Sequence, residues 1–475
     1  MDPTRRCPAL PDEITGDEIF ARLPAKSALA CRCLSRAWAA ALSSDGFIDR
    51  YHTLHGGRLK IFSLHDEAPP SSYAYNHGAA PAMGSPIAIS AECFPSFAQM
   101  FWENRRMVPL LVTAQCRGLV ILRLSPIEVY YVCNPSTGQK MELPEGRTTR
   151  CRRNRDRMHE YASLGLGYDV RARRHKVVRI YYNGCDDEGR PASVGCEVYM
   201  LNGGSAETWR PVGARPPGWV ELNKDRVFAQ GHVYWLGYGK DDFDHGYRRS
   251  KETFIASFSV CEETFATVPP PPGMDSDTLR EQCLTELAGR LCLFSWGRPD
   301  HGLRYDVWLL REYGTSSNAW HLHCRIDPAK ASPEVTTLLG PREDCDYPTT
   351  GPLAIVDDGR RILLARTEFP DKICAYTPST GDIEDILEVP SMQTLENDDT
   401  LYIFAVYEES ITTPGGQACK DITLASSPST QALSLVLLLL PERTLPRLMC
   451  VCRSWHTMIT VALRCGGPFL TEGEA

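Results

Sequence analysis

The chain has 475 residues, 43% of them hydrophobic and 23% charged, at a mass of 53.0 kDa. That is ordinary globular usage, which excludes wholesale disorder, collagen and coiled coil. A net charge of −8 argues against nucleic acid as the main partner, because phosphate binding needs a basic face.

Residues 1–16 lack the apolar stretch of a signal peptide. The longest apolar run, Leu435 to Leu440, is far short of the ~20 residues of a membrane span. The 19 cysteines include no C-x-x-C pair, so paired-thiolate zinc and redox spacings are absent and the thiols are expected to be free. These features predict a soluble protein of cytoplasm and/or nucleus, with no cofactor and no membrane partner.

Residues 1–9 are expected to be disordered. Between Leu10 and Leu54 the pattern is helical. Leu10 to Pro24 reads as one short helix, with Ile19, Phe20 and Leu23 on an apolar stripe and Thr15–Glu18 as a capping box. Pro24 ends it. A second helix is predicted from Ser27 as N-cap, carrying Leu34, Trp38 and Leu42 at intervals of four. Two short helices cannot enclose a core, so their stripes need a partner on this chain or another.

From about Phe62 the hydrophobic period changes to two. At least ten strands are predicted: Arg117–Leu122, Val129–Val132, Lys176–Tyr182, Glu197–Leu201, Val227–Leu236, Phe254–Val260, Leu291–Phe294, Val307–Leu310, Arg361–Ala365 and Leu401–Val406. Proline (35) and glycine (36) make about 15% of the chain, which suits many short strands and turns. A weak repeat recurs: Tyr131 to Gly138, Tyr376 to Gly381 and, more loosely, Phe258 to Phe265. Each reads as strand, turn and return strand, as in the blades of a propeller. The β region is expected over 59–407. Residues 67–86 and 410–430 read as flexible connectors.

The words L-P-x-E-I from Leu10, I-F-x-R-L-P-x-K-S-x-L from Ile19 and C-L-S-R-x-W to Trp38 resemble the F-box of plant F-box proteins. The match runs from Leu10 to about Ile48, within a domain over 10–55. Its first helix is one residue longer than the commonest form, with Gly16 in the added turn. The β region is similar to the F-box-associated domains of the same proteins. Its words are Gly118-Leu119-Val120, the Asn134-Pro135-x-Thr137-Gly138 turn, Gly165 to Asp169, Gly231 to Leu236 and Val307 to Gly314 followed by Trp320. The class is therefore α+β multidomain: a small helical F-box, then a large all-β, propeller-like domain.

The resemblance implies a non-enzymatic substrate receptor. Its F-box would dock on a Skp-type adaptor of a cullin–RING ubiquitin ligase, and its β domain would hold a target protein. Leu10, Pro11, Ile14, Ile19, Leu23, Pro24, Leu29 and Leu34 are the candidate adaptor face. The alternative is that they pack within the chain. Trp38 is expected to brace the module. Six arginines between Arg147 and Arg157 read first as a solvated loop. Arg150, Arg152 and Arg153 could instead grip an acidic or phosphorylated target segment, and reversing their charge would then weaken capture most in low salt.

Leu440 to Trp455 aligns without gaps on Leu23 to Trp38, offset by 417, with Leu440, Pro441, Cys450, Arg453 and Trp455 identical. After a linker over 408–431, residues 432–462 therefore look like the latter half of a second F-box. Its plain reading is a degenerate remnant or gene fusion; the sharper one is a second docking surface, tested by deleting Ser434 to Ala475.

No enzyme constellation is found: G-x-S-x-G, the P-loop and H-E-x-x-H are absent. His321 and His323 would share one face of a strand with Cys324 turned away, an ordinary strand rather than a metal site. Asp186-Asp187-Glu188-Gly189 and Asp357-Asp358-Gly359 are turn sequences first. The competing functional classes are a β-propeller enzyme acting on a small molecule and an adaptor-binding scaffold without ubiquitination.

Overall fold

A computed structural model describes residues 19–33, 36–55, 59–64, 108–125, 129–146, 162–185, 191–202, 208–220, 226–239, 253–274, 282–297, 304–313, 319–328, 339, 350–366, 372–388 and 403–415. The chain divides into two compact units. Of the described residues, one holds those from 19 to 55 with 409–412; the other holds those from 59 to 408 with 413–415.

The large unit is all β. Five antiparallel sheets follow one another along the chain. The first is β2 (Val108–Leu111), β3 (Val120–Ser125), β4 (Val129–Asn134) and β5 (Gln139–Glu142). The second is β6 (Ala162–Asp169), β7 (Arg174–Cys185), β8 (Pro191–Met200) and β9 (Arg210–Val212). The third is β10 (Trp219–Val220), β11 (Val227–Ala229), β12 (His232–Tyr238), β13 (Thr253–Ser259) and β14 (Thr264–Val268). The fourth is β15 (Cys283–Leu287), β16 (Arg290–Gly297), β17 (Arg304–Leu310) and β18 (Trp320–Ile326). The fifth is β19 (Thr350–Val356), β20 (Arg361–Arg366), β21 (Lys372–Thr377) and β22 (Asp382–Glu388). A two-stranded pair joins β1 (Leu59–Leu64) to β23 (Ile403–Glu408), with Leu59 opposite Glu408. The first and last strands of the unit thus pair with each other.

Period-two alternation explains why sheets stack as blades. Successive side chains point to opposite faces of a strand, so a strand apolar at every position needs a core on both sides. On β16, Leu291 and Leu293 enter the core shared with the third sheet, while Cys292 and Phe294 enter the core shared with the fifth. On β20, Ile362 and Leu364 face the fourth sheet, and Leu363 and Ala365 face the other way, toward the side of Val406. On β12, Val233 and Trp235 pack on the second sheet, and Tyr234 and Leu236 on the fourth. Sheets succeeding one another in sequence share each core, which is the propeller arrangement.

The three repeated words occupy one equivalent place. Each is the turn between the last two strands of a sheet. Gly138 N–H donates to Asn134 O at 2.9 Å, Gly381 N–H to Thr377 O at 2.9 Å, and Glu263 N–H to Ser259 O at 2.8 Å. The closing residue has positive φ in all three, 74° at Gly138, 78° at Gly381 and 55° at Glu263. Glycine adopts that conformation without strain.

Two predicted strands are corrected by tight turns. Arg117 and Gly118 have φ of 47° and 79°, so the strand begins only at Val120. Gln230 and Gly231, at 50° and 79°, break the predicted Val227–Leu236 strand into β11 and β12. Consecutive positive φ values are the signature of a type I′ hairpin.

In the helical unit, a 3-10 turn at Phe20–Arg22 precedes α1 (Ala25–Ala30), α2 (Arg36–Ala41) and α3 (Asp45–His55). Ser27 is not the N-cap that the sequence suggests: α1 begins two residues earlier, after Pro24, and Ser27 is buried inside it.

Candidate docking face of the helical unit

The core of the helical unit contains Phe20, Leu23, Ala25, Ala28, Leu29, Leu42, Phe47, Tyr51 and Ile411. Two helices alone would not enclose it. Helix α3 supplies Phe47 and Tyr51, and the segment after β23 supplies Ile411. Helix α3 starts at a local cap, where Ser44 Oγ accepts the Phe47 N–H at 3.2 Å. Near its other end, Tyr51 Oη donates to Leu23 O at 2.8 Å, and the His55 ring stacks on Tyr51 with centroids 4.1 Å apart. His55 Nε2 lies 2.9 Å from Ala21 O. The loop carbonyls around Phe20–Leu23 are thereby satisfied by side chains of α3. Burial and the nearby Glu409 carboxylate push the Tyr51 hydroxyl well above its ordinary range.

The eight candidate adaptor residues fall into three groups. Leu10, Pro11, Ile14 and Leu34 lie outside the described residues. Leu23 and Leu29 are 1% and 5% exposed and are part of the unit's own core. Ile19 is half-buried against that core, and Pro24 is exposed. Trp38 is half-buried and packs edge-on to Phe20, with centroids 4.8 Å apart and planes at 77°.

The exposure of helix α2 is the feature that its sequence does not announce. None of its residues is buried. Ala37, Ala40 and Ala41 are exposed, and Ala39 is half-buried beside Trp38. An alanine run favours helix, so it was legible as helix but not as surface. The result is a smooth apolar face with Arg36 at its start and exposed Lys26 on α1.

The β unit offers other groups. Five aromatics of its strands and turns, Tyr234, Trp235, Trp308, Tyr313 and Trp320, divide four to one. Tyr234, Trp235 and Trp320 are buried and Trp308 packs against the same core as Tyr234. Tyr313 is 38% exposed, stacks on His232 at 3.8 Å, and pairs its hydroxyl with Ser257 Oγ at 3.0 Å. Arg150, Arg152 and Arg153 lie outside the described residues, as do Asp186–Gly189. The two histidines of β18 do not share a simple alternating face. The register slips between Val307 and Trp308, which pair with Cys324 and Leu322, so His323 sits in a bulge. The bulge reverses strand parity: Trp320 belongs to one inter-sheet core and Ile326 to the next. Burial pushes both imidazoles down, helped at each by Arg290. Among the described residues no cluster of histidine, cysteine, aspartate or glutamate could hold a metal ion.

The architecture defines a class of protein: a small helical module in one chain with a β-propeller. The family comparisons go further. The F-box associated beta propeller domain matches residues 88–336, and the F-box domain matches residues 10–50 and again 430–461. The chain belongs to the F-box proteins with an associated β-propeller domain. F-box protein DOR of Arabidopsis thaliana is 30% identical over 305 residues, covering 62% of this chain and 68% of that protein. F-box protein At3g07870, also of Arabidopsis thaliana, is 24% identical over 415 residues, covering 80% of this chain and 87% of the relative. The F-box/LRR-repeat protein At2g43260 is 26% identical over 260 residues, and there the chain spans 54% of the relative's length. The second F-box match lies outside the described residues. No helix of the described residues is long and apolar enough to cross a membrane.

Proposed function

We propose that the protein is the target-recognition subunit of a cullin–RING ubiquitin ligase. The helical unit docks on a Skp-type adaptor, and the β-propeller holds a target protein. The observation that carries this reading is helix α2, an alanine-rich helix with no buried residue beside a core that seals Phe20, Leu23, Leu29 and Leu42. Such a face is stabilised by covering it with another chain. Pro24, Ile19, Ala37, Ala40 and Ala41 form the described part of the docking face in this reading. Leu23 and Leu29 act from beneath it, by fixing the helices that present it.

The protein performs no bond chemistry of its own in this account. It raises the effective concentration of a target beside the ubiquitin-loaded enzyme, which turns a bimolecular encounter into an intramolecular one. Affinity purification of the full chain tests the reading. The adaptor and cullin co-purify with the wild type and are lost with Ala37→Arg/Ala40→Arg. A target that accumulates on proteasome inhibition separates a ligase receptor from a scaffold that only binds the adaptor. Recovery of the chain without adaptor would refute the docking role.

A further inference from the structure

The N-terminal helical unit takes in four residues from the far end of the propeller sequence. Glu409–Thr412 follow β23 directly in the chain and belong to the helical unit. They are not a solvated connector: Glu409, Ser410 and Ile411 are 7%, 3% and 1% exposed. Ile411 packs in the core with Leu23, Leu29 and Tyr51. Ser410 Oγ accepts the Thr412 N–H at 3.1 Å and donates to Thr412 Oγ1 at 3.0 Å, which folds the segment into a local turn.

Glu409 supplies what the sequence before α1 lacks. The helix begins after Pro24, whose side chain has no hydrogen-bond acceptor, and no local side chain caps it. Glu409 Oε1 accepts the Ala25 N–H at 2.8 Å across 384 residues of sequence. Its other oxygen lies 3.6 Å from His55 Nδ1, near the end of α3. A carboxylate at the first turn satisfies an orphan N–H and faces the positive end of the helix.

We propose that Glu409–Thr412 is a strap that holds the docking module in its binding form, with Glu409 as the positioning residue joining the start of α1 to the end of α3. The inference rests on the adaptor-docking reading, and it makes that docking depend on residues beyond the last strand of the propeller. A fragment that stops at residue 55 lacks the strap.

Full-length wild type, Glu409→Ala and Glu409→Gln test this by amide hydrogen exchange and by titration with a purified Skp-type adaptor. In Glu409→Ala, Ala25–Ala30 and the end of α3 exchange about tenfold faster, and adaptor affinity falls by about the same factor. Protection of β12 and β16 stays unchanged. Glu409→Gln keeps an acceptor for the Ala25 N–H and retains most of the protection and affinity. If Glu409→Ala loses the helical unit altogether, Glu409→Gln decides: retained protection supports the strap, and equal loss overturns it. Unchanged exchange in Glu409→Ala overturns the strap. Faster exchange with unchanged affinity overturns its positioning role. A wild type that does not bind the adaptor refutes the docking reading, while the exchange result still decides the strap.

Discussion

The Arg179 guanidinium meets the Glu197 carboxylate at 2.6 Å with only 3% and 0% of the two side chains exposed. The pair lies on neighbouring strands of the second sheet, directly opposite in register. Gly146 is packed onto it: a Cβ there would stand 2.5 Å from Glu197 Oε1. Removing one partner strands a buried charge. Glu197→Ala is therefore expected to lower stability by about 3–5 kcal/mol in urea unfolding. Arg179→Met combined with Glu197→Leu should recover most of that loss. A double variant no more stable than Glu197→Ala would contradict the account.

A second charge group gives the propeller an acid limb. Lys176 Nζ lies 2.7 Å from Asp169 and 2.8 Å from Glu263, and Arg210 also reaches Glu263. Burial alone would raise the Asp169 carboxyl. Hydrogen bonds from Lys176, the Ala172 N–H and Cys261, with the Lys176 charge, outweigh it and hold Asp169 at about 2, against an ordinary 3.8. Glu263 is lowered too: burial is opposed by its bonds to Arg210 and Lys176. Both carboxylates are depressed, so their contribution is complete above about pH 5 and drains away as pH falls toward 2. Asp169 alone accounts for about 2 kcal/mol. Lys176 is raised, its bonds to Asp169 and Glu263 exceeding the burial effect, so its share is lost only on the alkaline side of 10.5. Urea midpoints taken at descending pH should fall for the wild type, and more shallowly for Asp169→Asn.

Buried and exposed positions of the helical unit should behave in opposite ways. Leu29→Ala opens the core and should destabilise that unit by about 2–5 kcal/mol. Ala40→Arg sits on an exposed helical position and should leave stability within about 0.5 kcal/mol of wild type. Hydrogen exchange resolves the two, because protection in α3 reports the core and ignores the surface.

The blade turns test backbone strain. Gly381 has a φ of 78° and open space around it, so Gly381→Ala meets no neighbour and isolates the conformational cost, about 1 kcal/mol. Glu263 holds the same turn position without being glycine, and its side chain bonds Lys176 and Arg210. Glu263→Gly should therefore destabilise despite relieving strain. A gain in thermal midpoint would show that strain outweighs the ion pairs.

The propeller was legible because alternation and turn chemistry are local. Leu291 to Phe294 reads as a strand by itself, and the repeated turn words mark equivalent places in three sheets. What failed were features set by distant partners. Nothing near Pro24 indicates that α1 starts there, because its cap comes from Glu409. The bulge at His323 depends on the register with Val307 and Trp308, which no pattern within β18 reveals. The burial of Leu23 and Leu29 depends on Tyr51 and Ile411, which no local pattern around either leucine reveals. Ala37, Ala40 and Ala41 carried a helix signal but no sign of which side faces water.

Docking of the helical unit on an adaptor through its exposed face is open to a single measurement. Calorimetric titration of the purified full chain with a purified Skp-type adaptor measures it directly. Saturable binding is expected of the wild type, and its loss at an unchanged thermal midpoint in Ala37→Arg/Ala40→Arg. No heat of binding with folded wild type, or undiminished affinity in the double variant, would contradict it.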